Sequence, residues 1–339
     1  MRFSVFHLME LPRGQAYEQA EAEIAEQVQY AEELGFARVW LAEHHFDRDY
    51  GLCPSTLLYA AKLGQLTSRI RLGSLVVVLP LNHPLRVAEE AAFADVLVGG
   101  RLDLGLGAGY APYEFAGYGV DLDSRRERFR EGVEILTQAL SGQRFAYRGS
   151  FYQFSELESF PQPLQRPLPL WLTANSANTA AWVGQQGKPC VLSGSSLPLE
   201  TLRECFGGYR QVFEAAGHPG PAYCMMNRQV YVAESDAQAR LDAEGPTMDY
   251  ILRQQRVFRA GQGIDEAVVS YDRLVGNMFT HGSPETCAAN IEMLRQELGL
   301  GELSCKFRST GLSHRQVMAS MRRFAEEVIP RFQPAVVEA

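Results

Sequence analysis

No stretch of eighteen consecutive apolar residues occurs in the chain, so no segment reads as a membrane-spanning helix. No secretory leader is expected either. Met1-Arg2 runs straight into the strand-like Phe3-Ser4-Val5-Phe6, with no apolar signal core before a small-residue cleavage site. Surplus basic charge is missing: 32 Lys and Arg stand against 40 Asp and Glu, a formal net charge of -8. A nucleic-acid backbone would be repelled, so no nucleic-acid partner is expected. The six cysteines (Cys53, Cys190, Cys205, Cys224, Cys287 and Cys305) contain no C-x-x-C pair. They read as buried thiols of a reducing cytoplasm, not as disulfides or zinc ligands.

What is present is a regular alternation of strand-like and helix-like segments through 339 residues, a length suited to one α/β barrel with an insertion. Strands are expected at Arg2–Leu8, Val39–Leu41, Ile70–Leu79, Leu102–Leu106, Leu168–Thr173, Cys190–Ser193, Met225–Val232 and Ser304–Arg308. Helices are expected between them. The first, Gln15–Leu34, stops at Gly35, and the third starts at Pro84, a residue suited to the first helical position. The alternation breaks twice. Phe145–Phe154 alternates around Gly149-Ser150 and predicts a hairpin excursion after the fourth helix. A polar, partly helical stretch at about 234–280 predicts a long insertion after the seventh strand. Eight β-α units predict a TIM (β/α)8 barrel forming a single domain over 1–339.

The rival is a doubly wound sheet with a dinucleotide fingerprint. Its best candidate, Gly105-Leu-Gly107-Ala-Gly109-Tyr110, has Tyr110 where a third glycine belongs, and Ala111-Pro112 follows where a helix should begin. About 20 residues on stand Arg128 and Phe129 instead of an acid. The barrel is therefore preferred, and no nicotinamide site is expected.

Active residues of such a barrel lie at the carboxyl ends of its strands. The second strand ends in Ala42-Glu43-His44-His45-Phe46. Adjacent strand residues face opposite ways, so His44 and His45 cannot easily ligate one ion together, and no metal is assigned. One should face the barrel mouth, where an imidazole suits proton transfer near neutral pH, and the other should brace the wall. Two structural histidines are the plainer alternative. Asn175-Ser176-Ala177-Asn178-Thr179 opens a helix after a strand, where cap residues and free N–H groups can hold a phosphate. Arg125 and Arg126 at the start of the fourth helix could add charge, although arginines there also suit a solvated face. His83 is expected to cap or anchor the third helix. Met9, Glu10, Asn227 and Arg228 stand at strand ends without a motif, and Tyr110 and Phe46 are either pocket or packing residues.

Five motifs in order carry a likeness to a known family: Val39-Trp-Leu-Ala-Glu-His-His-Phe46, Leu72-Gly-Ser-Leu-Val-Val-Val-Leu-Pro80, His83-Pro-Leu-Arg-Val-Ala-Glu-Glu90, Gly100 through Tyr110, and Ser313 through Pro330. Over nearly its whole length the sequence resembles the luciferase-like flavin-dependent monooxygenases. The resemblance implies His44 beside the reactive edge of the flavin as the catalytic residue. It also implies a cis peptide at Leu75-Val76 under the ring, and Ser193 against the ring. Arg125, Asn175, Ser176 and Thr179 fall at the phosphate, and the insertion after the seventh strand becomes a mobile loop over the site. Two positions depart from the family: Ala108 stands where an arginine usually meets the phosphate, and Gly107 replaces the cysteine of light-emitting members. Gly194, in place of a bulky neighbour of the ring, is expected to widen the pocket. The implied chemistry uses reduced FMN from a separate reductase and O2 to oxygenate a small, mostly apolar substrate through a C4a-peroxyflavin, in a homodimer. Hydride transfer with F420, a non-catalytic flavin-binding barrel, and a metal-dependent hydrolase built on Glu43 and His44 are the alternatives.

Overall fold

The computed structural model describes residues 1–11, 14–258 and 270–333. In chain order the elements begin β1 (Arg2–His7), α1 (Tyr17–Glu33), β2 (Arg38–Leu41), α2 (Thr56–Gly64), β3 (Arg71–Val78), α3 (Pro84–Leu97) and β4 (Leu102–Gly107). Then come α4 (Pro112–Tyr118), α5 (Arg125–Ala139), β5 (Phe145–Arg148), β6 (Gln153–Leu157), β7 (Leu170–Thr173), α6 (Ala177–Gln185) and β8 (Cys190–Ser193). The chain continues with α7 (Leu199–Ala215), β9 (Cys224–Val232), α8 (Asp236–Phe258), α9 (Tyr271–Leu274), β10 (Phe279–Gly282), α10 (Pro284–Leu298), β11 (Glu302–Lys306) and α11 (His314–Arg323). Among the described residues no helix is long and apolar enough to cross a membrane.

Eight strands pair in parallel in the order β1-β2-β3-β4-β7-β8-β9-β11, and β11 returns to β1, closing a barrel. All eight expected strands are there. The pleat sorts their side chains into two layers. Phe3, Val5, Val39, Leu41, Leu104 and Leu106 face outward into one core with helix residues such as Ile24, Val28 and Val87. Phe6, Leu8, Trp40, Ala42, Trp171 and Met225 face inward and form a second core.

The amino end of the barrel is sealed by polar groups. Arg38 meets Asp103 at 2.9 Å and Glu302 at 3.3 Å, and Ser4 donates to Glu302 at 2.6 Å. Arg38 also lies over the Trp171 ring, 4.6 Å from its centroid. With that end filled, only the carboxyl end can open into a cavity.

The predicted hairpin is β5 paired antiparallel with β6. Three features differ from expectation. A seven-residue helix, α4, follows Ala111-Pro112, with Pro112 in its first turn and Gly119 left-handed at its end. A short ninth strand, β10, pairs in parallel with the last residues of β9. The stretch 234–280 is more regular than expected where it is described, carrying α8, α9 and the start of β10; 259–269 lie outside the described residues. His83 precedes α3 without a side-chain cap, and its ring meets Tyr152 of the hairpin edge-on at 5.4 Å, so it anchors by packing.

Candidate active site

The carboxyl ends of the strands surround a cavity of about 660 Å3. Its floor depends on missing side-chain atoms. A Cβ on Gly105 would stand 2.1 Å from the Ser74 carbonyl oxygen, and one on Gly107 would stand 2.7 Å from Val76 and 2.9 Å from Thr173. The glycines of β4 thus allow close approach of β3 and β7. The Leu75–Val76 peptide is cis, and the β3–β4 register shifts between Ser74 and Val77.

All ten site residues expected from the sequence line this one cavity: His44, Leu75, Val76, Gly107, Ala108, Arg125, Asn175, Ser176, Thr179 and Ser193. Ser176 caps α6, its hydroxyl accepting from the Thr179 N–H at 3.4 Å. Tyr110 and Asn227 also line the space, and the Asn227 amide nitrogen is buried without a hydrogen-bond partner among the described residues.

His44 is 7% exposed and held from both sides. Its Nδ1 lies 3.0 Å from Glu114 Oε1, and the same oxygen accepts the His45 backbone N–H at 2.9 Å. Its Nε2 lies 3.3 Å from the Tyr110 hydroxyl, which is 2.6 Å from the Tyr50 hydroxyl. Burial pushes the Tyr110 phenol well above its ordinary range and so keeps it protonated. With Glu114 accepting from Nδ1–H, Nε2 becomes an acceptor for Tyr110 O–H. The imidazole is thereby held in one orientation, with a carboxylate at one ring nitrogen and a hydroxyl at the other.

His45 turns into the wall. It meets Glu43 through Nε2 at 3.0 Å and the Tyr118 hydroxyl through Nδ1 at 3.1 Å. Glu43 also accepts from the Val78 N–H and the Asn82 amide, so its carboxylate is committed to the wall and not to His44. Among the described residues no three His, Cys, Asp or Glu side chains gather to hold a metal ion.

The other end of the cavity is cationic. Arg125, Arg126 and Arg130 of α5 line it opposite Ser176 and Thr179. Tyr250 and Ile251 of α8 cover the apolar side together with Leu274 and Met278. Behind Tyr250, Lys306 stands 3.7 Å from the centroid of its ring and pairs with Glu10 at 2.8 Å in a fully buried contact.

Several single-residue expectations are revised. A Cβ on Gly194 would meet Met226 at 2.5 Å, so the glycine serves close packing against β9 and does not widen the pocket. Phe46 is 63% exposed and packs over α4, Met9 is in the outer core, and Arg228 is buried against the 276–280 backbone. Glu114, Arg130 and Tyr250 were not foreseen. Glu114 alone had a readable signal, the Pro112 start and Gly119 stop of its short helix.

Residues 1–301 match the family described as luciferase-like monooxygenase. The oxygenase component of the flavin-dependent trigonelline monooxygenase of Acinetobacter baylyi is 29% identical, over 100% of this chain and 97% of its own. The crystal structure of a monooxygenase from Streptomyces bottropensis superposes with a TM-score of 0.91 at 25% identity, covering 98% of this chain and 100% of that one. The oxygenating constituent of 3,6-diketocamphane monooxygenase of Pseudomonas putida, a type II Baeyer-Villiger monooxygenase in complex with FMN, shares the fold. Its TM-score is 0.83 at 22% identity, with 98% of each chain covered.

Proposed function

The chain belongs to the luciferase-like monooxygenase family, and from that premise we propose that it is the oxygenase of a two-component system, using reduced FMN and O2 on a small, mostly apolar substrate. The observation that carries the reading is one cavity with an oriented imidazole, His44, on its wall and the Arg125 guanidinium beside the Ser176 and Thr179 hydroxyls at its far end. Among the described residues Arg125 has no carboxylate partner and donates only to the Leu122 carbonyl, at 2.8 Å. An unneutralised cation beside an apolar slot suits a planar ring carrying a phosphate.

In this reading Leu75, Val76 and Gly107 seat the ring, and Ser193 lies against it. Arg125, Asn175, Ser176 and Thr179 receive the phosphate. Bound reduced flavin supplies the electrons that activate oxygen. The chain's own contribution is to hold that ligand, exclude water with Tyr250, Ile251, Leu274 and Met278, and move a proton at His44 Nε2. The lack of a nicotinamide fingerprint assigns reduction of the flavin to another protein, as the trigonelline relative's designation as an oxygenase component suggests. A second copy would pack on the outer faces of α2 and α3, where Leu58 and Phe93 are 75% and 54% exposed.

Titration with FMN and F420, followed by oxygen uptake with each ligand reduced, tests the proposal. Saturable FMN binding and FMN-dependent oxygen uptake are expected. Turnover with F420 that needs no oxygen would replace this reading with hydride transfer, because deazaflavins do not activate oxygen. Binding with no uptake would favour a flavin-holding barrel.

Ala108 leaves room for a stronger grip. Ala108→Arg is expected to tighten FMN roughly ten- to hundredfold, the worth of one charged hydrogen bond at about 1.5–3 kcal/mol. Riboflavin affinity should not move. An equal gain for both ligands would place the phosphate elsewhere.

A further inference from the structure

Beside the main cavity lies a second, smaller space of about 360 Å3, lined by Arg126, Glu127, Arg130, Ser176, Asn178 and Thr179. Four of these, Arg126, Arg130, Ser176 and Thr179, also line the main cavity, so the two spaces adjoin at the arginine end. Arg126 and Arg130 are four apart on α5 and share one helical face, while Arg125 stands inward and is half-buried. Both outer arginines are exposed. Among the described residues neither has a hydrogen bond or ion pair, and the only recorded contact is Arg130 over the Trp182 ring, 5.6 Å from its centroid. Neighbouring Arg128 is engaged, donating to Ser124 and lying over Phe151.

Two unpaired guanidiniums are notable in a chain with an acidic surplus of eight charges. The net field of such a chain repels a phosphate dianion, and only a local patch of the opposite sign reverses that at the entrance. We propose that Arg126 and Arg130 form an outer anion station, distinct from the inner phosphate site. It captures the phosphate-ester dianion of an arriving flavin and passes it to Arg125, Ser176 and Thr179. Glu127, on the same wall, limits residence there, so the station accelerates entry without competing with the inner site. The inference rests on the flavin reading above. A ligand delivered by diffusion from another protein gives such a station its use, because free reduced flavin is lost to dissolved oxygen.

The test is stopped-flow association of oxidised FMN with the full chain, followed by flavin fluorescence, in the unsubstituted protein and in the Arg126→Gln/Arg130→Gln double variant. At low ionic strength the association rate is expected to fall about tenfold, the lower end of what electrostatic steering supplies. The dissociation rate should stay within about twofold. The difference should vanish near 1 M salt, where the screening length is about 3 Å, and riboflavin should enter both proteins alike. An unchanged association rate overturns the station. So does a loss confined to dissociation, which would make these arginines part of the inner grip. If the unsubstituted protein shows no saturable FMN binding, the flavin reading fails first and the station with it.

Discussion

Replacing His44 by alanine is expected to lower turnover by about a hundredfold, the lower range for a positioned acid–base group, while FMN affinity changes little. The imidazole is placed to hold or move a proton: Glu114 accepts a hydrogen bond from its Nδ1 at 3.0 Å and Tyr110 faces its Nε2 at 3.3 Å. The phosphate end, on which affinity depends most, lies on α5 and α6, so losing one ring beside the slot removes little binding. Glu114→Gln is the sharper companion. It keeps the shape of the contact but removes the charge that selects the tautomer, so kcat should fall with little change in KM, and the pH profile of kcat should move. A packing defect alone would leave that profile in place. His45→Ala, by contrast, should chiefly loosen the wall that Glu43 and Tyr118 share. Oxygen-uptake kinetics beside fluorescence titration separate these outcomes. Full turnover in His44→Ala would remove the residue from the mechanism.

Acid should unfold the chain sooner than its carboxylates alone would require, because of two buried histidines that do not line the cavity. The pKa of His7 is pushed down to about 3 by burial, with the Arg308 charge adding to the effect, and neither ring nitrogen has a hydrogen-bond partner among the described residues. That of His281 is likewise pushed down to about 3, by burial first and then by Arg228. As pH falls through 6.5, the unfolded chain takes up both protons and the folded chain takes up neither until about pH 3. The unfolded state therefore binds more protons across that interval. The stability that neutral rings contribute is complete above pH 6.5 and is lost on the way down. At roughly 1.4 kcal/mol per pH unit for each ring, the two together remove about 5 kcal/mol by pH 4.5. That is comparable with the whole net stability of an ordinary domain, about 5–15 kcal/mol. Urea unfolding at pH 7.0, 5.5 and 4.5 measures the loss, and His7→Leu should remove about half of it. An acid slope identical in that variant would show that His7 does not carry the charge cost.

The eight strands and the helices between them were legible because each is marked locally. β-Branched runs such as Ile70–Leu79 end at turn residues, helices open on Pro84 or Pro284, and α1 ends before left-handed Gly35. The short elements were not. α4 is seven residues long, too short for a periodicity to show, and β10 gains its ladder only by lying beside β9. The ten expected site residues meet at one cavity because parallel strands all deliver their carboxyl ends to one side. Why those residues act was less legible. Glu114 is 70 positions from His44 and Lys306 is 296 from Glu10, so neither partnership leaves a mark in local spacing.

By itself the sequence determined the barrel, the order of its strands and the strand end that bears His44, since each follows from local periodicity and its stop residues. Only the tertiary structure decided which histidine is oriented for proton transfer. It alone also showed that Arg130 lines, with Arg126, a second space adjoining the cavity. Orientation and electrostatic environment depend on groups brought together from distant parts of the chain, and a carboxylate or guanidinium acquires its role only from what is packed against it.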